Sequence, residues 1–130
     1  MDPASIVEYI ARQLGLPPPP VYLDPKLPVP GRWIGNPETG FSAIYINPRK
    51  VDGVPMEFVL AHEMFHEYVF RKGLKYPSIL DEERAANEFA RQVTGYYWMN
   101  YTHLESLKPV LVGILTGIVL PLGAVIGAKR

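Results

Sequence analysis

The chain has 130 residues, enough for one small domain and at most one appendage. Its formal net charge is zero and acids and bases are evenly mixed, which argues against a nucleic-acid surface, since that needs a basic stripe. There is no cysteine, so disulfides and thiolate metal sites are excluded, and any metal must be held by His, Asp or Glu.

In chain order, Asp2-Pro3 reads as an N-cap followed by proline in the first helical turn. The spacing predicts a short amphipathic helix with Ile6, Ile10 and Leu14 inward and Gly15 as its stop. This start is acidic and lacks the basic region and apolar core of a signal peptide. Pro17 to Pro20 predicts a stiff polyproline connector on the surface. Val21 to Leu23 reads as a short strand. Arg32 to Ile34 and Phe41 to Ile46 flank the turn-rich segment Gly35-Asn36-Pro37-Glu38-Thr39-Gly40, the pattern of a β-hairpin. Together these strands predict a small three-stranded antiparallel sheet, and an exposed edge of it could pair with an extended peptide.

The central helix is predicted to open at Asp52 or Pro55, run to about Lys72 and stop at Gly73. Ala61, Met64, Phe65 and Tyr68 form one apolar face, so it is largely buried. Glu67 and Arg71, four apart on the outer side, read as an exposed ion pair. Within this helix lies His62-Glu63-Met64-Phe65-His66. Residues four apart share a helix face, so His62 and His66 present two imidazoles to one point, which suits a divalent zinc ion. Glu63 is turned about 100° from His62. It lies too far round to share the ion easily, but can reach a water beside it as a general base.

A second helix follows, with Ser78 as N-cap and Asp81 three residues on as its capping-box partner. Its apolar face is Ala85, Phe89 and Val93, with Ala86 and Ala90 at the edge, where small side chains allow another helix to approach closely. A catalytic zinc site needs three protein ligands and an open position. A third histidine shortly after the pentapeptide is one solution, but Val69 and Lys72 occupy the positions it would need. A glutamate on the second helix is the other. Glu83 is preferred, with Glu82 and Glu88 as alternatives. Asn87, one turn after Glu83, can accept a hydrogen bond from the far ring nitrogen of a ligating histidine.

Gly95 leads into the aromatic cluster Tyr96-Tyr97-Trp98-Met99-Asn100-Tyr101. Val110 to Ala128 then contains no charged residue, and its 19 residues would span about 28 Å as a helix. That length, with aromatic residues and Lys108 before it and Lys129-Arg130 after it, predicts a single-pass membrane helix. The competing reading is a buried or autoinhibitory helix of a soluble cytoplasmic protein. Gly113 with Gly117, and Gly123 with Gly127, are small-residue pairs that allow a homodimer through this segment. The expected organisation is a domain over residues 1–108 and an apolar helix over 109–130, with the domain on the cytoplasmic side.

His62-Glu63-x-x-His66 followed by Glu83-x-x-x-Asn87, with alanines and Phe89-Ala90, resembles the gluzincin metallopeptidases. The similarity is greatest to their small members, the minigluzincins, and to the related peptidases that cleave phage-type repressors. It covers roughly residues 41–93 and departs at Glu67, where an uncharged residue is more usual. The resemblance implies an α+β zincin-like domain with an active-site helix and a glutamate helix. It implies one zinc ion per chain on His62, His66 and Glu83, with Asn87 in support and Glu63 as the catalytic base of an endopeptidase acting on peptide or protein substrates. Tyr76, Tyr96, Tyr97 and His103 are candidate donors to the oxyanion, and nothing in the sequence chooses among them. Some minigluzincins are latent, with a C-terminal segment over the cleft, which allows residues after Gly95 the same role. Two readings stand beside this one: a catalytically silent metal-binding or membrane-tethered regulatory module, and a dedicated protease for one repressor or antitoxin partner.

Overall fold

Local signals close the first helix as the sequence predicts. The Asp2 carboxylate accepts from the Ser5 amide at 2.8 Å, and Pro3 stands in the first turn of α1, Pro3–Leu14. Gly15 ends it in the left-handed conformation at φ 71°. The inward face is broader than predicted: Val7 and Ala11 are buried with Ile6 and Ile10, and Leu14 is only partly covered. The computed structural model describes residues 2–49 and 53–96. It is α+β, with α1, β1 (Val21–Leu23), β2 (Gly31–Gly35), β3 (Ser42–Ile46), α2 (Met56–Lys72) and α3 (Ile79–Thr94).

The sheet is mixed rather than antiparallel. β2 and β3 form the predicted hairpin, from Gly31 opposite Ile46 to Gly35 opposite Ser42. β1 does not pair with β2. It runs parallel to β3, with Val21 opposite Ile44 and Leu23 opposite Ile46, giving the order β1-β3-β2. Burial explains the order. Ser42, Ala43, Ile44 and Ile46 are all buried, which suits a central strand, whereas Tyr22, Leu23 and Ile34 are exposed on the edges. The connection from β1 to β2 therefore passes the end of β3. Asn47 holds it there: its amide donates to Pro30 O at 2.9 Å and its side chain to Leu27 O at 2.6 Å. The proline connector is not wholly on the surface either, since Pro19 is buried and Pro20 O accepts from the Ile44 amide.

α2 is the axis of the molecule, packed by α1, α3, β2 and β3. It opens after Pro55 and ends at Gly73, φ 64°. Asp52, the other predicted opening, lies outside the described residues. Every residue from Phe58 to Val69 is buried, which no one-sided apolar stripe anticipates. Each large apolar side chain buried here, such as Phe58, Leu60 and Phe65, contributes about 1.5–3 kcal/mol. The same helix buries His62, Glu63, His66 and Glu67, which is costly unless each is paired.

α3 begins at Ser78, whose hydroxyl accepts from the Asp81 amide at 3.2 Å and donates to the Asp81 carboxylate at 2.9 Å. Ala86 and Ala90 are not edge residues but are completely buried. Val93, predicted on the buried face, is 42% exposed. It lies beyond the covered turns of the helix, in an open apolar hollow with Ile6, Tyr9 and Tyr96. No helix among the described residues is long and apolar enough to cross a membrane. The apolar run 110–128, with the flanking Lys108 and Lys129-Arg130, lies outside the described residues, as do Tyr97 and His103.

Candidate metal centre

Two turns of α2 and one of α3 supply the site. His62 and His66 stand one turn apart with their rings 5.0 Å apart and 73° from parallel. Their Nε2 atoms are 3.3 Å apart. Glu83 reaches between them from α3: one carboxylate oxygen is 3.0 Å from His62 Nε2, the other 2.8 Å from His66 Nε2. All three side chains are buried, and they form a group able to hold a metal ion. For metal–ligand bonds near 2.0–2.1 Å, tetrahedral geometry puts ligand atoms about 3.4 Å apart. The observed separations of 2.8–3.3 Å need only a slight spreading to reach that. The donor set of two imidazoles and a carboxylate suits zinc or another divalent ion of borderline softness. The fit is therefore good in number, type and spacing.

The outer ring nitrogens are also engaged. His62 Nδ1 donates to Asn87 Oδ1 at 2.7 Å, the support that the resemblance implies. His66 Nδ1 donates to Glu82 Oε2 at 2.6 Å. Each bond holds its ring with Nε2 aimed at the common point, where an Nε2 freed of its proton offers a lone pair. Glu82, weighed from sequence only as an alternative ligand, thus stands behind His66 instead. Adjacent residues on a helix differ by about 100°, so Glu82 and Glu83 can both face α2 at different heights. The Glu82-Glu83 doublet was the available signal. Glu88 is not part of the group: its carboxylate accepts from Arg91 and, at 3.3 Å, from Gln92.

The three groups also lean on one another. Burial alone would lower the His66 pKa, but hydrogen bonds to Glu82 and Glu83 outweigh it and push the imidazole up to about 10. For Glu83, burial would raise the pKa. Attraction to His62, with hydrogen bonds from both imidazoles, instead holds the carboxyl well below the usual range. A carboxylate that prefers to stay ionised beside two imidazoles is prepared to receive a cation.

Glu63 is completely buried on α2, close enough to His66 for its charge to favour the protonated imidazole. Gly31 of β2 lies against it. A Cβ at Gly31 would stand 2.6 Å from Val59 and 3.4 Å from a Glu63 carboxylate oxygen, so only glycine lets the strand approach this closely. The sequence reading began this strand at Arg32, one residue too late, and missed this contact. Trp33, two residues on, lines two hollows beside His66. One, of about 180 Å³, is completed by Ile79, Glu82 and Glu83. The other, of about 330 Å³, runs along Val69, Phe70 and Leu74. Nothing in the sequence distinguished Trp33 from a packing aromatic.

Glu67 is not half of an exposed pair. It is 1% exposed, and accepts from Arg71 Nε at 2.9 Å and from Trp33 Nε1 at 2.8 Å. The i,i+4 spacing revealed Arg71, but the second partner, Trp33, comes from β2, 34 residues earlier. Of the oxyanion candidates, Tyr76 packs against Phe65 and lines neither hollow; its hydroxyl, pushed upward in pKa by burial and by the charge of Glu82, is buried. Tyr96 belongs to the hollow against α1 instead. No family model matches the chain, and neither a curated protein nor a solved structure matches it.

Proposed function

We propose that the chain is a zinc-dependent endopeptidase of the gluzincin type. The observation that carries this reading is the convergence of His62 Nε2, His66 Nε2 and the Glu83 carboxylate on one point, with the buried Glu63 beside them. His62, His66 and Glu83 would hold the ion, one per chain. A zinc ion there would lower the pKa of a water towards about 7 and polarise the scissile carbonyl.

The chain's own residues do the rest. Glu63 takes a proton from the attacking water and delivers it to the leaving amine. Asn87 and Glu82 hold the two imidazoles in the orientation that keeps Nε2 inward. β2 is an edge strand, so its outer backbone groups can pair with an extended peptide as a further strand. Gly31 and Trp33 bring that edge over Glu63 and His66.

The test is a purified full-length chain with its zinc content and casein hydrolysis measured together. One zinc per chain and measurable cleavage are expected. Glu63→Gln should keep the zinc and lose cleavage by about 10²-fold or more. A chain that carries no zinc and gains none on soaking would remove the enzyme reading, and equal activity in parent and variant would remove Glu63 from it.

A further inference from the structure

Glu67 has no part in the chemistry above, yet it is a carboxylate buried one residue from a metal ligand. Burying such a group is costly, and replacing a buried ion pair by apolar side chains is often neutral or stabilising. Stability is therefore a weak reason for its presence. Its bonds indicate another. One oxygen accepts from the Trp33 indole at 2.8 Å. The other accepts from Arg71 Nε at 2.9 Å, and Arg71 Nη2 donates on to Gly40 O and Ser42 Oγ, both at 2.8 Å. The indole is thus tied to α2, and α2 is tied to the hairpin that carries the indole.

Two further contacts fix the same ring. Its edge meets Phe70 at 5.2 Å and 61°. It also folds back over Gly35, where an added Cβ would stand 2.3 Å from Cη2 and 2.4 Å from Cζ2. Trp33, His66 and Glu82 are common to both hollows at the centre. Apart from His66 and Glu82, the larger hollow is walled by the apolar side chains of Trp33, Val69, Phe70 and Leu74, with the exposed Lys75 at its rim.

We propose that Glu67 is a positioning residue, and that Trp33, held by it, is the specificity-determining wall of the cleft. It selects substrates whose side chain next to the cleaved bond is large and apolar enough to fill the hollow along Val69, Phe70 and Leu74. This rests on the peptidase reading above. In an apolar pocket one methylene changes selectivity by about 10- to 200-fold, so a wall that moves changes which peptides are accepted more than how the bond is broken. Gly35 takes part because only the absence of a side chain there leaves room for the ring.

The experiment uses the full-length zinc-loaded protein and a peptide mixture, with cleavage sites identified by mass spectrometry. The parent should cut beside Phe or Leu in preference to Ser. Trp33→Ala, Glu67→Leu and Gly35→Ala should reduce that preference about 10-fold or more while zinc content stays at one per chain. Glu67→Gln, which keeps one acceptor, should fall between, and serves if Glu67→Leu fails to fold. In parallel, labelled Phe-containing and Ser-containing peptides are titrated onto zinc-loaded Glu63→Gln, with and without Trp33→Ala. The Phe peptide should bind more tightly only where Trp33 is present. A uniform loss of cleavage for every peptide, or an unchanged preference, would overturn the proposal and reduce Glu67 to a structural role. If the parent cuts nothing, the peptidase reading falls. The peptide affinities then decide the wall separately: a Trp33-dependent preference upholds it and equal affinities overturn it.

Discussion

At the scale of single residues, the decisive feature is that both imidazoles are gripped from behind. Asn87 and Glu82 are ordinary surface residue types, yet each accepts from the outer nitrogen of one histidine. Losing such a partner typically weakens metal binding by about 10- to 100-fold. Asn87→Ala and Glu82→Ala should each do so in a competitive chelator titration, whereas Glu88→Ala should leave affinity unchanged. An effect at Glu88 equal to that at Glu82 would contradict the assignment. Protons report on the same atoms. His66 is raised from 6.5 to about 10, so its stabilising contacts with Glu82 and Glu83 are complete below pH 6.5 and are lost as pH rises through 10. Glu83 is depressed from 4.5, so its contribution is complete above that value and is lost as pH falls below its lowered pKa. A metal held by His66 would have to displace its proton. Zinc binding near neutral pH should therefore release about one proton, and affinity should rise roughly tenfold per pH unit between 6 and 8. Calorimetry in buffers of different ionisation enthalpy measures this directly, and binding without proton release would show that His66 carries no proton for a metal to displace.

At the scale of elements, the site depends on how closely α3 approaches α2. Ala86 and Ala90 are completely buried at that approach, so Ala90→Leu should force the helices apart. Overpacking of this kind costs about 1–3 kcal/mol, and a displaced Glu83 should weaken zinc binding as well. Urea denaturation with and without zinc separates the two effects; a stability loss with unchanged affinity would mean that the helix spacing does not set the ligand geometry. The elements also show where sequence reading works. Caps and stops are decided within four residues, so Asp2, Gly15, Gly73 and Ser78 were legible and sit where predicted. The choice of Glu83 over Glu82 and Glu88 leaned on Asn87 one turn on and on the family resemblance, whereas the shared face of His62 with His66 and of Glu83 with Asn87 was legible because helical periodicity fixes which side chains stand one turn apart. Glu67 and Glu82 were not, because their partners depend on the rotation of α2 against β2 and α3. Strand order was not legible either, since a parallel pairing between β1 and β3 has no local signal.

At the scale of the molecule, almost everything is arranged around α2: α1 and α3 cover it, and the sheet reaches it through β2 and β3. This concentrates the buried polar groups and the apolar core on one element, so the site and the core cannot be altered independently. The strand order adds a temporal consequence. β2 and β3 are joined by a six-residue turn closed by bonds between Asn36 and Phe41, and between Gly40 and Asn36. They can pair as soon as they are made. Among the described residues β1 pairs with β3 alone, so its pairing waits until β3 is in position. The expectation is that β1 pairs after the hairpin has formed. Ile44→Val, on the central strand, should slow refolding, whereas Val21→Ala, on β1, should mainly speed unfolding. Stopped-flow kinetics in urea would measure both, and a Val21 variant that slows refolding as much as the Ile44 variant would place β1 early instead. A chain emerging from the ribosome must accordingly keep its β1 segment waiting while the hairpin forms.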